Sequence, residues 1–190
     1  MVTTGLKLGY PCSCWLATTA LVLSGIFLGI RPAAAARLHF DSASIQVPND
    51  QYFSVVAKID PESQCPNIVK TAIYFPSDLV EVADLDYSDS IVGLWISQPQ
   101  ILPDRIEFTA GLPRGFCRDP FNPEQNALLK IIFRAKDNSG SGRISYAEEK
   151  TEIFLNDGQG TPLVFSLQPS EVQLFPPIIG NLVPTSSAAI

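Results

Sequence analysis

Four cysteines, a single histidine and 19 acidic residues are the groups in this chain with reactive or metal-binding chemistry. Cys65 and Cys117 lie far from Cys12 and Cys14. Two thiols and one distant His39 do not complete the four nitrogen or sulfur ligands of a structural zinc site. In an oxidising compartment the same two cysteines can pair instead, closing a loop of about 50 residues that contributes roughly 4 kcal/mol at most on the chain-entropy model. The alternative is a pair of free buried thiols. His39, between Leu38 and Phe40, is accompanied by neither a G-x-S-x-G elbow nor a cysteine-nucleophile signature, so it reads as a strand residue. Asp84, Asp86 and Asp89 imitate a calcium loop in composition only. Asp89 stands where the glycine belongs and Trp95 where the bidentate glutamate belongs, leaving a solvated strand end with incidental calcium as the one open metal and no cofactor. Asn156 to Thr161 (NDGQGT) reads as a tight turn, because a phosphate loop requires a following lysine and a helix. Paired carboxylates for glycoside hydrolysis require a deep cleft, which a small sandwich offers only on a concave sheet, so no catalytic residue is assigned and the chain is read as a non-enzyme.

The compartment follows from the first 36 residues. Lys7 precedes an apolar core, Trp15 to Ile30, that ends at Arg31-Pro32 and Ala33 to Ala36. These are the parts of a secretory signal peptide, expected as a helix ahead of the sandwich, with Ala34-Ala35-Ala36 at the A-x-A cleavage point and Arg37 as the new start. An uncleaved signal anchor is the competing reading, and the only one that brings in a membrane. The expectation is a secreted or cell-surface protein. Leader residues Lys7 and Arg31 set aside, the rest carries 11 basic against 19 acidic residues, net −8, which argues against nucleic-acid binding.

From residue 37 to 175 the chain is a series of short runs with the period of half-buried strands, broken by Pro, Gly, Asn and Asp. An opening strand over Leu38 to Val47 is interrupted near Ser42. Tyr52 to Ile59, Asn67 to Phe75, Leu79 to Asp86, Ser90 to Ser97, Asp104 to Thr109, Ala127 to Ala135, Gly142 to Ala147, Glu152 to Leu155 and Glu171 to Phe175 follow. Without amphipathic helices between them, such strands form one antiparallel sandwich domain. The connection from Ala110 to Asn126 is long enough to be functional or stapled. Residues 176–190, rich in proline and small residues and without charge, read as a tail or linker.

The order of these blocks resembles the cohesin domain. It runs through Arg37-Leu38-His39-Phe40, Tyr52 to Val55, Ile73 to Val82 (IYFPSDLVEV), Ser90 to Trp95, Ile106 to Gly111, Leu129 to Lys136, Gly142 to Tyr146 and Phe154 to Gly158. The resemblance implies a nine-stranded jelly-roll sandwich, related to carbohydrate-binding modules, that binds a dockerin-type protein module or a polysaccharide and takes part in polysaccharide catabolism. Cys65, Cys117 and the proline-rich connection depart from the typical dockerin-binding member. A structural surface or filament component making homotypic contacts is the alternative function.

The resemblance places a binding face on the runs Asn67 to Phe75, Ser90 to Ser97, Asp104 to Thr109 and Gly142 to Ala147. Alternation then selects the outward side chains. With Val69, Thr71, Ile73 and Phe75, Ile106 and Phe108, and Ile144 and Tyr146 inward, the face carries Lys70, Tyr74, Arg105, Glu107, Arg143 and Ser145. Trp95 has two readings, an exposed ring on that face or a packing centre with Gly93.

Overall fold

The computed structural model describes residues 36–117 and 125–177. Residues 1–35 of the leader, the helix expected for it and most of the tail lie outside them, whereas the expected cleavage bond, Ala36 to Arg37, falls at the start of the first strand, with Ala36 buried. Twelve strands are present among the described residues. They are β1 (Ala36–Phe40), β2 (Ser44–Pro48), β3 (Tyr52–Asp60), β4 (Pro66–Tyr74), β5 (Val80–Asp86), β6 (Leu94–Ile101), β7 (Arg105–Gly111), β8 (Ala127–Ala135), β9 (Gly140–Tyr146), β10 (Glu152–Leu155), β11 (Phe165–Leu167) and β12 (Ser170–Phe175).

They form two sheets. One is ordered β11-β1-β3-β8-β5; the other is ordered β2-β12-β9-β4-β7-β6, with β10 also paired to β4. The all-β sandwich expected from the sequence is present, with two differences. The count is twelve rather than nine, and the sheets are mixed, because β1 pairs β11 and β2 pairs β12 in parallel. One cause explains both. The opening run breaks near Ser42 so that β1 and β2 enter different sheets, and the closing run breaks between β11 and β12 in the same way. The two crossings run side by side. Asp41 marks the first one, its backbone N–H donating to Val56 O and its carboxylate accepting from Val56 N–H.

Alternating apolar residues fill the space between the sheets. Leu38, Val55, Ile59, Ile131 and Phe133 of one sheet meet Val69, Ile73, Ile106, Ile144, Ile153 and Val172 of the other, all essentially inaccessible to solvent. Burial of each such side chain is worth about 1.5–3 kcal/mol, so this layer dominates the stability. Phe133 stacks on Phe53 with centroids 5.5 Å apart and meets Phe75 edge-on at 5.6 Å. The Tyr146 hydroxyl, its pKa raised by burial, donates to the His39 carbonyl at 2.9 Å and ties β9 to β1.

Candidate functional site

The four runs assigned to a binding face become four consecutive strands, β9, β4, β7 and β6, of one sheet. Pairing register turns their outward residues into rows that cross the sheet. Phe154, Ile68, Gly111 and Leu94 form the first, on β10, β4, β7 and β6. Glu152, Lys70, Thr109 and Ser97 form the second, and Ala72, Glu107 and Gln100 the third. Ser145, Tyr74 and Arg105 form the fourth. The face is thus graded, apolar at one end and charged at the other.

Leu94 and Ile96 are the prominent members of the apolar end, at 65% and 54% exposure. Gly111 lies beneath them; a Cβ there would come within 3.3 Å of the Leu94 carbonyl oxygen and 3.8 Å of Ile96 Cδ1. Register shifts between Trp95 and Ser97 and between Ser97 and Gln100 interrupt the ladder of β6. Together with Pro99 they blunt this edge strand against further strand pairing, so what β6 presents is side chains.

At the charged end six ions pair with one another. Glu107 accepts from Lys150 at 2.6 Å and from Arg105 at 2.7 Å, and Arg105 also donates to Asp104 at 2.9 Å. The Lys150 hydrogen bond, then that of Arg105, holds the Glu107 carboxyl below the usual carboxylate range, and Glu107 in turn raises the Arg105 guanidinium. Lys70 pairs with Glu152 at 3.2 Å. Lys150 comes from a 3-10 turn, Glu148–Lys150, that covers Ala72. A shallow recess of about 370 Å³ lies between Lys70, Ala72, Ser97, Gln100, Glu107 and Lys150. These six charges neutralise one another, which leaves Glu149 at the recess and the apolar row as what the face offers a partner.

Lys70, Tyr74, Arg105, Glu107 and Ser145 are brought together as the alternation argument placed them. Arg143 is displaced from them; on β9 it pairs with β12, and its guanidinium meets Glu171 at 2.8 Å, since only Ser145 and Tyr146 of β9 reach β4. Trp95 is not on the face. Its partner across the ladder is the buried Ala110, and its ring lies edge-on to Phe108 and Tyr87 at 5.6 Å each, so it packs inward and pushes Leu94 and Ile96 out. Leu94, Ile96, Ile68, Phe154, Lys150 and Glu152 were not singled out from the sequence. The Leu94 and Ile96 signal existed, in the outward alternative to an inward Trp95; the others depend on strand partners that no local pattern names.

The remaining sequence candidates resolve as structure. Cys65 and Cys117 are disulfide-bonded, Cα atoms 4.3 Å apart. Burial, then the nearby Arg37, lowers the His39 pKa, so the ring is neutral at pH 7 on β1 beside Lys58. Asp86 accepts from Ser88 N–H at 2.9 Å and from Lys130 at 3.3 Å, bonds that hold its carboxyl below the usual range. No group of three or more potential metal ligands occurs among the described residues. Residues 156–160 form a turn in which Asp157 accepts from Gln159 N–H at 2.8 Å, with Gly158 and Gly160 at φ near 70°.

The disulfide also fixes the apolar end of the face. Leu112 N–H donates to Asn67 O and Phe116 N–H to Pro66 O, both at 2.7 Å. Asn156 N–H donates to Cys65 O at 3.0 Å, and its side-chain amide donates to Arg114 O at 2.8 Å. Gly115, at φ 71°, lies against Asn156, where a Cβ would fall 2.5 Å from the Asn156 Cβ. Ordering residues 113–117 costs roughly 1–2 kcal/mol each in backbone entropy, whereas each hydrogen bond returns about 1 kcal/mol net. The bridge adds a covalent link to these hydrogen bonds at the junction.

No protein-family model matches the sequence, and no curated protein does. Solved structures match in fold. The sixth cohesin of scaffoldin B from Acetivibrio cellulolyticus, determined in complex with a Cel5 dockerin, superposes with a TM-score of 0.59 at 10% identity, over 75% of this chain and all of that one. The seventh ScaB type I cohesin from Pseudobacteroides cellulosolvens gives 0.56 at 11% identity, over 75% and 93%. A cohesin module from a family 33 glycoside hydrolase of Clostridium perfringens gives 0.55 at 11%, over 74% and 96%. Its strands, its two sheets and these likenesses together make the described chain a cohesin-like β-sandwich.

Proposed function

We propose that this is an exported, non-catalytic binding module whose docking surface is the outer face of β9, β10, β4, β7 and β6, and whose partner is a dockerin-type protein module. The row Phe154, Ile68, Gly111 and Leu94 carries this reading. An apolar strip flanked on one side by charges already paired gives a protein partner a dry row beside a polar rim. Several structures similar in fold were determined with dockerins bound. The leader supports export, and the Cys65–Cys117 bridge agrees with an oxidising destination. A polysaccharide ligand has less beneath it, because Trp95, the ring best suited to stack on a sugar, packs against Phe108.

Calorimetric titration of the full chain against a panel of dockerin modules tests this reading, with a Leu94→Asp/Ile96→Asp variant as control. Saturable binding weakened at least tenfold in the variant is expected. Binding that survives both charges would move the site elsewhere. No binding across the panel, with self-association on sedimentation at rising concentration, would turn the reading to homotypic assembly, in which the exposed Leu94 and Ile96 meet a second copy.

A further inference from the structure

Only three non-glycine residues in the described chain have positive φ: Asp50, Glu62 and Arg114. Two of them, Glu62 at φ 51° and Arg114 at φ 57°, each lie three residues before a bridged cysteine, Cys65 and Cys117 respectively. Left-handed backbone is unfavourable for residues with a Cβ and persists where its surroundings over-determine it. Both loops entering the bridge are therefore held against their own preference. After Arg114 comes Gly115, also left-handed, and the pair turns the chain so that Phe116 N–H reaches Pro66 O and Arg114 O reaches the Asn156 side chain. Asn156 is two residues from Phe154, and Leu112 follows Gly111 directly, so the same junction positions two of the four residues of the apolar row.

We propose that the Cys65–Cys117 bridge is a redox-controlled clasp on the apolar end of the docking face: closed, it presents the row; reduced, it releases residues 113–117 and the 156–160 turn while the sandwich persists. The second half of this inference, control of docking, rests on the function proposed above. The step is a two-electron reduction by a dithiol. The reductant's thiolate attacks one sulfur, its second thiol resolves the mixed disulfide, and the protein gains two thiols as the reductant becomes a disulfide. Release relieves the left-handed backbone at Glu62 and Arg114, which favours the open form; the buried layer between the sheets is untouched, which keeps the change local. In an exported protein the consequence is that docking competence is acquired on oxidation, after the chain leaves a reducing compartment.

Amide hydrogen exchange on the full chain, oxidised and then treated with dithiothreitol, is the test, with a Cys65→Ser/Cys117→Ser variant as a permanently open form. Protection at Phe116 and Asn156 is expected to be lost in the reduced chain and in the variant, while Val55 and Ile131 stay protected, lowered by no more than the fall in global stability measured on the same chains. Unchanged protection at Phe116 and Asn156 would overturn the clasp. So would loss of protection at Val55 and Ile131 as complete as at Phe116 and Asn156, since the bridge would then hold the whole fold. Binding of the two forms to an immobilised dockerin module separates the inferences: local release with binding to neither form retains the clasp and overturns the proposed partner, whereas equal binding by both forms overturns the control of docking.

Discussion

The two loop clusters at opposite ends of the strands differ in what holds them. At one end, the connections 61–66, 112–117 and 156–160 meet around a covalent bond between Cys65 and Cys117. At the other, 48–51, 75–79 and 136–139 meet around side-chain amides and an ammonium. Asn49 donates to Asp137 O at 2.7 Å and to Ser139 Oγ at 3.1 Å, Lys136 Nζ to Ser77 O at 2.6 Å, and Asn138 to Asp78 O at 3.2 Å. Both ends contain left-handed non-glycine backbone, Glu62 and Arg114 at the first and Asp50 at the second. Similar conformational cost is thus met by one strong link in one place and by several weak ones in the other. The covalent end responds to reductant and the polar end to single-residue loss and to pH.

Opening the bridge has the largest expected effect. Cys65→Ser and Cys117→Ser should each lower stability by the same amount, up to about 4 kcal/mol on the chain-entropy model, because each opens the same loop across a sequence separation of 52. Thermal denaturation of the two variants reads this directly. Unequal losses would mean that one cysteine has a packing role beyond the bridge, and a wild-type melting temperature indifferent to reductant would remove the contrast between the ends.

How much of this was legible beforehand depended on whether the signal was local. Alternation in Asn67 to Phe75 and Asp104 to Thr109 placed Val69, Ile73, Ile106 and Phe108 inward and Lys70, Tyr74, Arg105 and Glu107 outward, as the burial of the first four bears out. Alternation across Leu94 to Ile96 was ambiguous, because three large apolar residues in succession fit either phase; Phe108 on the neighbouring strand and Tyr87 in the preceding loop decide it by receiving the Trp95 ring. Lys150 and Phe154 were invisible for a related reason. Phe154 is placed by Ile68 of β4 and Lys150 by Glu107 of β7, 43 residues earlier, and register between distant strands leaves no mark in either run. The parallel pairings of β1 with β11 and β2 with β12 escaped likewise, although the break at Ser42 that permits them was visible.

At the polar end, Asn49→Ala should cost about 1–2 kcal/mol. The side chain is 8% exposed and serves two acceptors, so its removal strands the Asp137 carbonyl and frees the 136–139 loop. Hydrogen exchange should show lost protection at the Lys136 amide, which donates to Leu79 O at 2.8 Å, with none lost at Phe116 across the molecule. Equal loss at both would mean that the two ends are coupled through the sheets and that the contrast between them is one of chemistry alone.

The smallest effect concerns pH at that same end. Asp137 lies beside Asp50, and a hydrogen bond from one carboxyl to the other, followed by their like charge, raises the Asp137 pKa above the ordinary aspartate value of 3.8, while Arg134 opposes the shift. Glu81 and Lys136 line the same recess, and Arg134 pairs with both Asp50 and Glu81, at 3.3 and 3.5 Å. A group whose folded pKa is raised stabilises the fold below its unfolded pKa and loses that contribution as pH rises through the folded value. The 136–139 loop should therefore be better protected on the acid side of this window and less so above it. The gain is small because both carboxyls are solvated. In Asp50→Asn the carboxylate neighbour is gone, so Asp137 returns toward its ordinary value and the pH dependence of protection at Lys136 flattens. At the Cys65 and Cys117 junction the titrating group is Asp157, whose carboxyl is held below its ordinary value by hydrogen bonds from Thr161 and Gln159 and so stabilises less, not more, as pH falls; the same pH scan should leave protection at Phe116 level or falling on the acid side, and a parallel rise there would make the acid response a property of the whole sandwich rather than of the end held by Asn49.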